Sequence, residues 1–170
     1  TLHLSSAGTT YLGPAGADSN PPSWLPIWQR SLTQCHWQPD MRSILLAKTA
    51  VNAVINPLTA IHQVKNGALL QPELLSRTEA AITEVQRLLT AADETVIANA
   101  LPDRVKAICQ ATAQNDSSMK VDLANGNPTE AEWILGWLLT QLVSEPPATP
   151  VLQALYDEIQ ATEQVRRSAS

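Results

Sequence analysis

Apolar positions recur at helical spacing along most of this chain, and short breaks of proline, glycine and small polar residues separate the runs. From Ser23 the pattern predicts an amphipathic helix over 23–35 carrying Trp24, Leu25, Ile27, Trp28 and Leu32. Asp40 or a neighbour caps a long helix running to about Asn56, where Pro57 ends or kinks it. The pattern resumes over Leu58–Val64 and stops at Asn66-Gly67, read as a C-cap pair. Pro72-Glu73 opens another helix to about Ala92, with proline in the first turn and an acid behind it. Further helical runs cover 94–114, 117–124, 128–144 and 150–166, and Pro102 marks a break inside the first of them. Residues 1–16 read differently. Thr1–Ser6 and Thr9–Gly13 alternate around Ala7-Gly8, which predicts a short β-hairpin. Such a hairpin is marginal alone, so it completes a sheet elsewhere or packs on the helices. The expected organisation is a hairpin at 1–16, a linker at 17–22 and a helical domain over 23–170. The fold class is mainly α, a multi-helix bundle with a short N-terminal hairpin.

Composition narrows what such a bundle can do. The chain has 170 residues, 44% hydrophobic and only 16% charged, with a formal charge of −5. That is enough apolar material for one core. The acidic balance leaves no basic stripe to displace counterions, so nucleic acid is not an expected partner. The six glycines fall in neither a G-x-G-x-x-G nor a G-x-x-x-x-G-K pattern, so the chain builds no glycine-rich phosphate cradle of its own. No window reaches the run of apolar residues that a membrane span needs, and the N-terminus lacks a basic segment leading into an apolar one. Cys35 and Cys109 stand 74 positions apart without a C-x-x-C companion and read as buried free thiols in a reducing, cytoplasmic setting; a disulfide is the alternative. His3, His36 and His62 are scattered, so no metal site is expected. With no Phe, the five tryptophans read as core or interface packing.

The segment from Leu45 to Pro57 carries the candidate chemistry. Apart from Thr49, its residues are apolar except Lys48, Asn52 and Asn56. These stand at i, i+4 and i+8 and so form one stripe on a helix. An ammonium and two amides need partners when buried. Either neighbouring helices satisfy the stripe, or it lines a cleft and presents one cation and two amides to a small polar ligand. A second polar cluster, Asn115-Asp116-Ser117-Ser118-Met119, interrupts the helices, and Ser or Asn there is also an ordinary N-cap. Thr129-Glu130 then places an acid at the start of an apolar helix, where it complements the helix dipole or serves the site.

The string Lys48-Thr-Ala-Val-Asn52-Ala-Val-Ile-Asn56-Pro-Leu-Thr-Ala60, with Asn66-Gly67 after it, resembles the helical substrate domain of ketopantoate reductases. Asn115-Asp-Ser-Ser118-Met119, Asp122, Thr129-Glu130, Gly136 and Pro150 follow that family's order and approximate spacing, and Thr9-Thr-Tyr-Leu-Gly13-Pro14 is similar to the last hairpin of its cofactor domain. The resemblance implies a bundle of the 6-phosphogluconate dehydrogenase C-terminal-like type, following a Rossmann domain that these residues do not include. It implies NADPH-dependent reduction of ketopantoate to pantoate, on the route to pantothenate and coenzyme A. Lys48 matches the family's general acid and Glu130 its second catalytic group. Asn52, Asn56, Asn115 and Ser118 match substrate-binding residues. The implied partners are a small 2-keto acid and an N-terminal Rossmann domain that would hold NADPH. The expected whole is a reductase of about twice this length, inactive as this piece alone.

This sequence departs from the family pattern at three places. Leu46 replaces a tryptophan, Leu135 replaces an asparagine, and Glu145-Pro146-Pro147 replaces a His-Gly-like pair before the late proline. A reductase of another 2-keto acid is therefore the nearest alternative. The other is a non-catalytic helical module in which the stripe is interhelical glue; a long apolar helix with few charges also suits a homodimer interface.

Overall fold

The computed structural model describes residues 9–14, 20–32 and 34–168, with the side chains of 166–168 left aside. The chain divides into two compact units, Thr1–Leu46 and Ala47–Ser170. In the first, β1 (Thr10–Leu12), α1 (Leu25–Ser31) and β2 (Cys35–Trp37) follow in order. β1 and β2 pair in parallel, with Thr10 opposite Cys35, Tyr11 opposite His36 and Leu12 opposite Trp37. The strand expected near Thr9–Gly13 therefore forms, and its partner is a strand on the far side of α1. The other arm of the expected hairpin, Thr1–Ser6, lies outside the described residues. The helix expected over 23–35 is shorter, because Leu32 leaves the helix with extended φ/ψ and Cys35 joins the sheet.

α2 (Met41–His62) begins in this unit and continues into the second. Asp40 starts it as expected. Its carboxylate accepts the Ser43 N–H at 3.1 Å and the Ser43 hydroxyl at 2.5 Å. These two bonds hold the Asp40 carboxyl below its ordinary range. Of the expected end or kink at Pro57, the end is absent: α2 runs 22 residues with Pro57 inside it. A mid-helix proline costs about 3 kcal/mol, and burial offsets it here. Val54 and Leu58 are wholly buried around Pro57, and Thr59 donates to the carbonyls of Ile55 at 2.8 Å and Asn56 at 3.0 Å. α2 is also long and apolar enough by length and composition to cross a membrane, which the sequence reading missed; 67% of its apolar window is buried inside the protein, as in the core helix of a folded domain.

The stop after α2 also differs from expectation. Gln63, at φ 53°, turns the chain, and its side chain donates to Ala60 O at 2.6 Å. Asn66 and Gly67 instead open a 3-10 turn, Asn66–Leu70, which sits against the helix Thr95–Ala111. Gly67 is required there, because a Cβ would stand 2.7 Å from that of Ala113.

The rest of the second unit is α3 (Pro72–Ala91), α4 (Thr95–Ala111), α5 (Ser118–Asn125), a π turn at Glu132–Gly136 leading into α6 (Trp137–Thr140), and α7 (Pro150–Ser168). α3 packs on α4 and α7, and α7 also packs on α5 and the π turn. Leu152, Leu155 and Ile159 of α7 and Ala81, Val85 and Leu88 of α3 are fully buried at helical spacing. The expected break at Pro102 is absent, and the reason is tertiary. The proline leaves the Ala98 carbonyl without its helical donor, and the Gln86 side chain on α3 fills that place at 2.9 Å. The run expected over 128–144 is helical only from Glu132 to Thr140. Gly126, at φ 75°, ends α5 in the left-handed conformation.

Aliphatic residues, not tryptophans, form the core. Trp24, Trp28, Trp133 and Trp137 are exposed, so of the expected core or interface packing only the core role is excluded for these four. Cys35 and Cys109 are free and buried, as expected. Burial pushes the Cys109 thiol up to about 11.

Candidate active site

The stripe on α2 is graded rather than uniformly buried: Lys48 is exposed, Asn52 half-buried and Asn56 only 7% exposed. Eight residues of helix separate its ends by about 12 Å. Among the described residues, none of these three side chains makes a hydrogen bond or ion pair.

Beside Asn56 the stripe meets the second polar cluster. The hydroxyl of Thr59, fully buried one turn after Asn56, shares a 2.7 Å hydrogen bond with the Ser117 hydroxyl. Ser117 is the N-cap of α5 and accepts the Lys120 N–H at 3.1 Å. It does the capping expected of this cluster, which leaves the adjacent Ser118 exposed at the first helical position. Asn115 is held through its backbone: its carbonyl accepts the Asn66 N–H at 3.1 Å and its N–H reaches Thr112 O at 2.8 Å. The structure thus brings Asn56, Asn115 and Ser118 to one region. Lys48 lies at the far end of the stripe. Glu130 is exposed, and no hydrogen bond among the described residues joins its side chain to the others.

The polar groups that serve the scaffold behave differently. Glu84 is 5% exposed and accepts the N–H groups of Val151 at 3.0 Å and Leu152 at 2.8 Å, capping the start of α7. Glu163, 7% exposed, accepts the Thr129 N–H at 2.8 Å. Thr78 donates to Leu69 O and Leu74 O. These groups are satisfied within the fold, whereas the side chains of Lys48, Asn52, Asn56, Asn115, Ser118 and Glu130 have no hydrogen-bond or ion-pair partner among the described residues. For the exposed ones water suffices. Asn56 is 7% exposed as a residue, and its amide keeps that exposure at the polar atoms, since among the described residues only Asn66 Oδ1 is a buried side-chain polar atom without a partner. The Asn56 donor and acceptor are available to a ligand.

Asn66, where the spacing predicts a helix cap, is 8% exposed and donates to the Thr112 hydroxyl at 2.9 Å, while its Oδ1 is buried without a partner. Its position directly after a helical run made a cap the obvious reading. As to cofactors, no glycine pattern for a dinucleotide phosphate is present, and no cluster of three or more His, Cys, Asp or Glu among the described residues is arranged to hold a metal ion.

Comparison with known proteins identifies the family of the domain. The family described as "Ketopantoate reductase PanE/ApbA C terminal" matches residues 40–163. The chain is 39% identical over 158 residues to the 2-dehydropantoate 2-reductase of Vibrio cholerae, covering 92% of this chain and 53% of that protein. A crystal structure of a probable 2-dehydropantoate 2-reductase from Bacillus subtilis superposes with a TM-score of 0.62 at 34% identity, covering 76% of this chain and 43% of the other. The fold is shared more widely: a ketopantoate reductase family structure from Ralstonia eutropha gives a TM-score of 0.76 at 18% identity, over 94% of this chain and 53% of that one. The chain spans about half the length of the curated relatives it matches. With a family match over most of its length and helices in the corresponding places, this chain belongs to the ketopantoate reductase family and carries its helical C-terminal domain.

Proposed function

We propose that the chain supplies the substrate-binding and proton-donating side of an NADPH-dependent reductase that converts ketopantoate to pantoate. The observation that carries this reading is Asn56: a nearly buried amide with no partner in the fold, in line with an unpaired ammonium two turns away. This chain's own residues do not fit a nucleotide, since none of its glycines stands in a phosphate-binding pattern. NADPH, the hydride source, is therefore assigned to a companion Rossmann domain.

The chemistry left to this chain follows from its side chains. Reduction of a 2-keto acid builds negative charge on the keto oxygen. The Lys48 ammonium stabilises that charge and delivers the proton that completes the alcohol. Asn52 and Asn56, with Asn115 and Ser118, orient the carboxylate and hydroxyl through neutral donors and acceptors, which do not compete with Lys48 for the proton. Glu130 accepts from a substrate hydroxyl and balances the lysine charge.

The test is Lys48→Ala in the reductase that joins this domain to its cofactor domain, followed by NADPH oxidation with ketopantoate and with other 2-keto acids. Loss of a general acid lowers the rate about 10²–10⁴-fold, with NADPH affinity nearly unchanged. An unaltered rate removes Lys48 from the mechanism. A better rate with a different 2-keto acid reassigns the substrate.

A further inference from the structure

Glu130 makes no side-chain hydrogen bond or ion pair among the described residues, yet its backbone is held on both sides. Immediately before it, the Thr129 N–H donates to Oε1 of Glu163 at 2.8 Å. The Thr129 hydroxyl in turn accepts the Ala131 N–H at 3.2 Å, and Ala131 is fully buried. Two residues after Glu130, the carboxylate of Glu132 accepts the Tyr156 hydroxyl in a short hydrogen bond. Both outside groups come from α7. Tyr156 and Glu163 are seven residues apart, two turns of the helix, and so share one face. The Glu130 carbonyl meanwhile accepts the Ile134 N–H at 3.0 Å. α7 therefore grips the segment at 129 and 132, with Glu130 between the two anchors and its carboxylate left exposed.

We propose that Glu163 is a positioning residue for Glu130, fixing through the Thr129 N–H where that carboxylate meets a substrate hydroxyl. The proposal rests on the reading of Glu130 as a substrate-binding group. Glu163 is 7% exposed, so its carboxylate, with its contact to the Thr129 N–H, holds a defined place on the α7 face. What the carboxylate adds is a fixed point for the backbone directly before Glu130. Displacing that point shifts Glu130 without touching Lys48 or the α2 stripe. The signature is weakened ground-state binding with the chemical step preserved.

The experiment compares Glu163→Asp, Glu163→Gln and Glu163→Ala with Glu130→Gln in the full-length reductase. Asp keeps the charge and withdraws the acceptor by one methylene; Gln keeps an acceptor oxygen at the original reach. KM for ketopantoate is expected to rise about tenfold in Glu163→Ala and several-fold in Glu163→Asp, with kcat within twofold and NADPH affinity unchanged. Glu163→Gln should restore most of the loss. In the Glu130→Gln background, Glu163→Asp should add nothing further, because the group it positions is gone. An unchanged KM in Glu163→Asp overturns the proposal, as does an equal further loss in the double variant. If Glu163→Ala does not fold, Glu163→Asp alone decides. If Glu130→Gln leaves both kcat and KM unaltered, the reading of Glu130 itself fails, a result separable from failure of the positioning role.

Discussion

The hydroxyls of Thr59 and Ser117, 58 positions apart in the chain, meet in a 2.7 Å hydrogen bond that ties the end of the α2 polar stripe to the start of α5. Thr59 is completely buried and Ser117 is 6% exposed, so water cannot substitute for either partner. The bond joins the turn after Asn56 to the residue directly before Ser118, while Asn115 is held by its own backbone bonds to Asn66 and Thr112.

Thr59→Val keeps the shape of the side chain and leaves the Ser117 hydroxyl short of a partner. It is expected to cost about 1–3 kcal/mol in urea unfolding. Ser117→Ala loses the same bond together with the cap on the Lys120 N–H, worth about 1 kcal/mol more. The double variant should cost clearly less than the sum, since the second change removes a bond already broken. Strict additivity would show that the hydroxyl pair contributes no coupling.

Asn56 predicts the opposite sign for stability and function. Its amide is nearly buried and unpartnered, so Asn56→Leu, of similar volume, should leave unfolding free energy unchanged or raise it by about 1 kcal/mol. In the full-length reductase the same change should raise KM for the keto acid at least tenfold. A marked loss of stability would mean that the amide serves the fold, and a wild-type KM would remove it from the site.

The Tyr156 phenol donates to the Glu132 carboxylate, and that bond, with burial and nearby negative charge, pushes the phenol up to about 12 from an ordinary 10.0. Only two tyrosines are present, so Tyr11→Phe isolates the phenolate absorbance of Tyr156. Its titration should centre near 12 and move down towards 10 in Glu132→Gln. The sign for stability follows. A folded-state value above the unfolded one contributes stability that is present below pH 10 and lost as pH rises through 12. Wild type should therefore lose stability over that window more steeply than Glu132→Gln. Coincident curves would show that the pair does not form in solution.

Much of the candidate site is legible in sequence, because a helix converts spacing directly into facing. Lys48, Asn52 and Asn56 had to share a stripe once the segment was helical, and Asp40 had to be near its start. Exposure was not legible: three residues of equal spacing range from exposed to nearly buried according to what packs around each turn. The roles of Glu84 and Glu163 were equally hidden, since each caps backbone far away in the chain, at Val151 and Leu152 for one and at Thr129 for the other.

The prolines show the same division. Local rules placed an end or a kink at Pro57 and a break at Pro102, and both helices continue past their prolines. At Pro102 the missing donor is replaced by Gln86, a residue on another helix, and no reading of neighbours along the chain could supply it. The sequence by itself determined the helical class, the polar stripe and the family to which its motifs point, because each depends on short-range periodicity or residue identity. Only the tertiary structure decided which polar groups are spent on the fold and which keep no partner within it, because hydrogen-bond satisfaction is settled by partners that folding brings together.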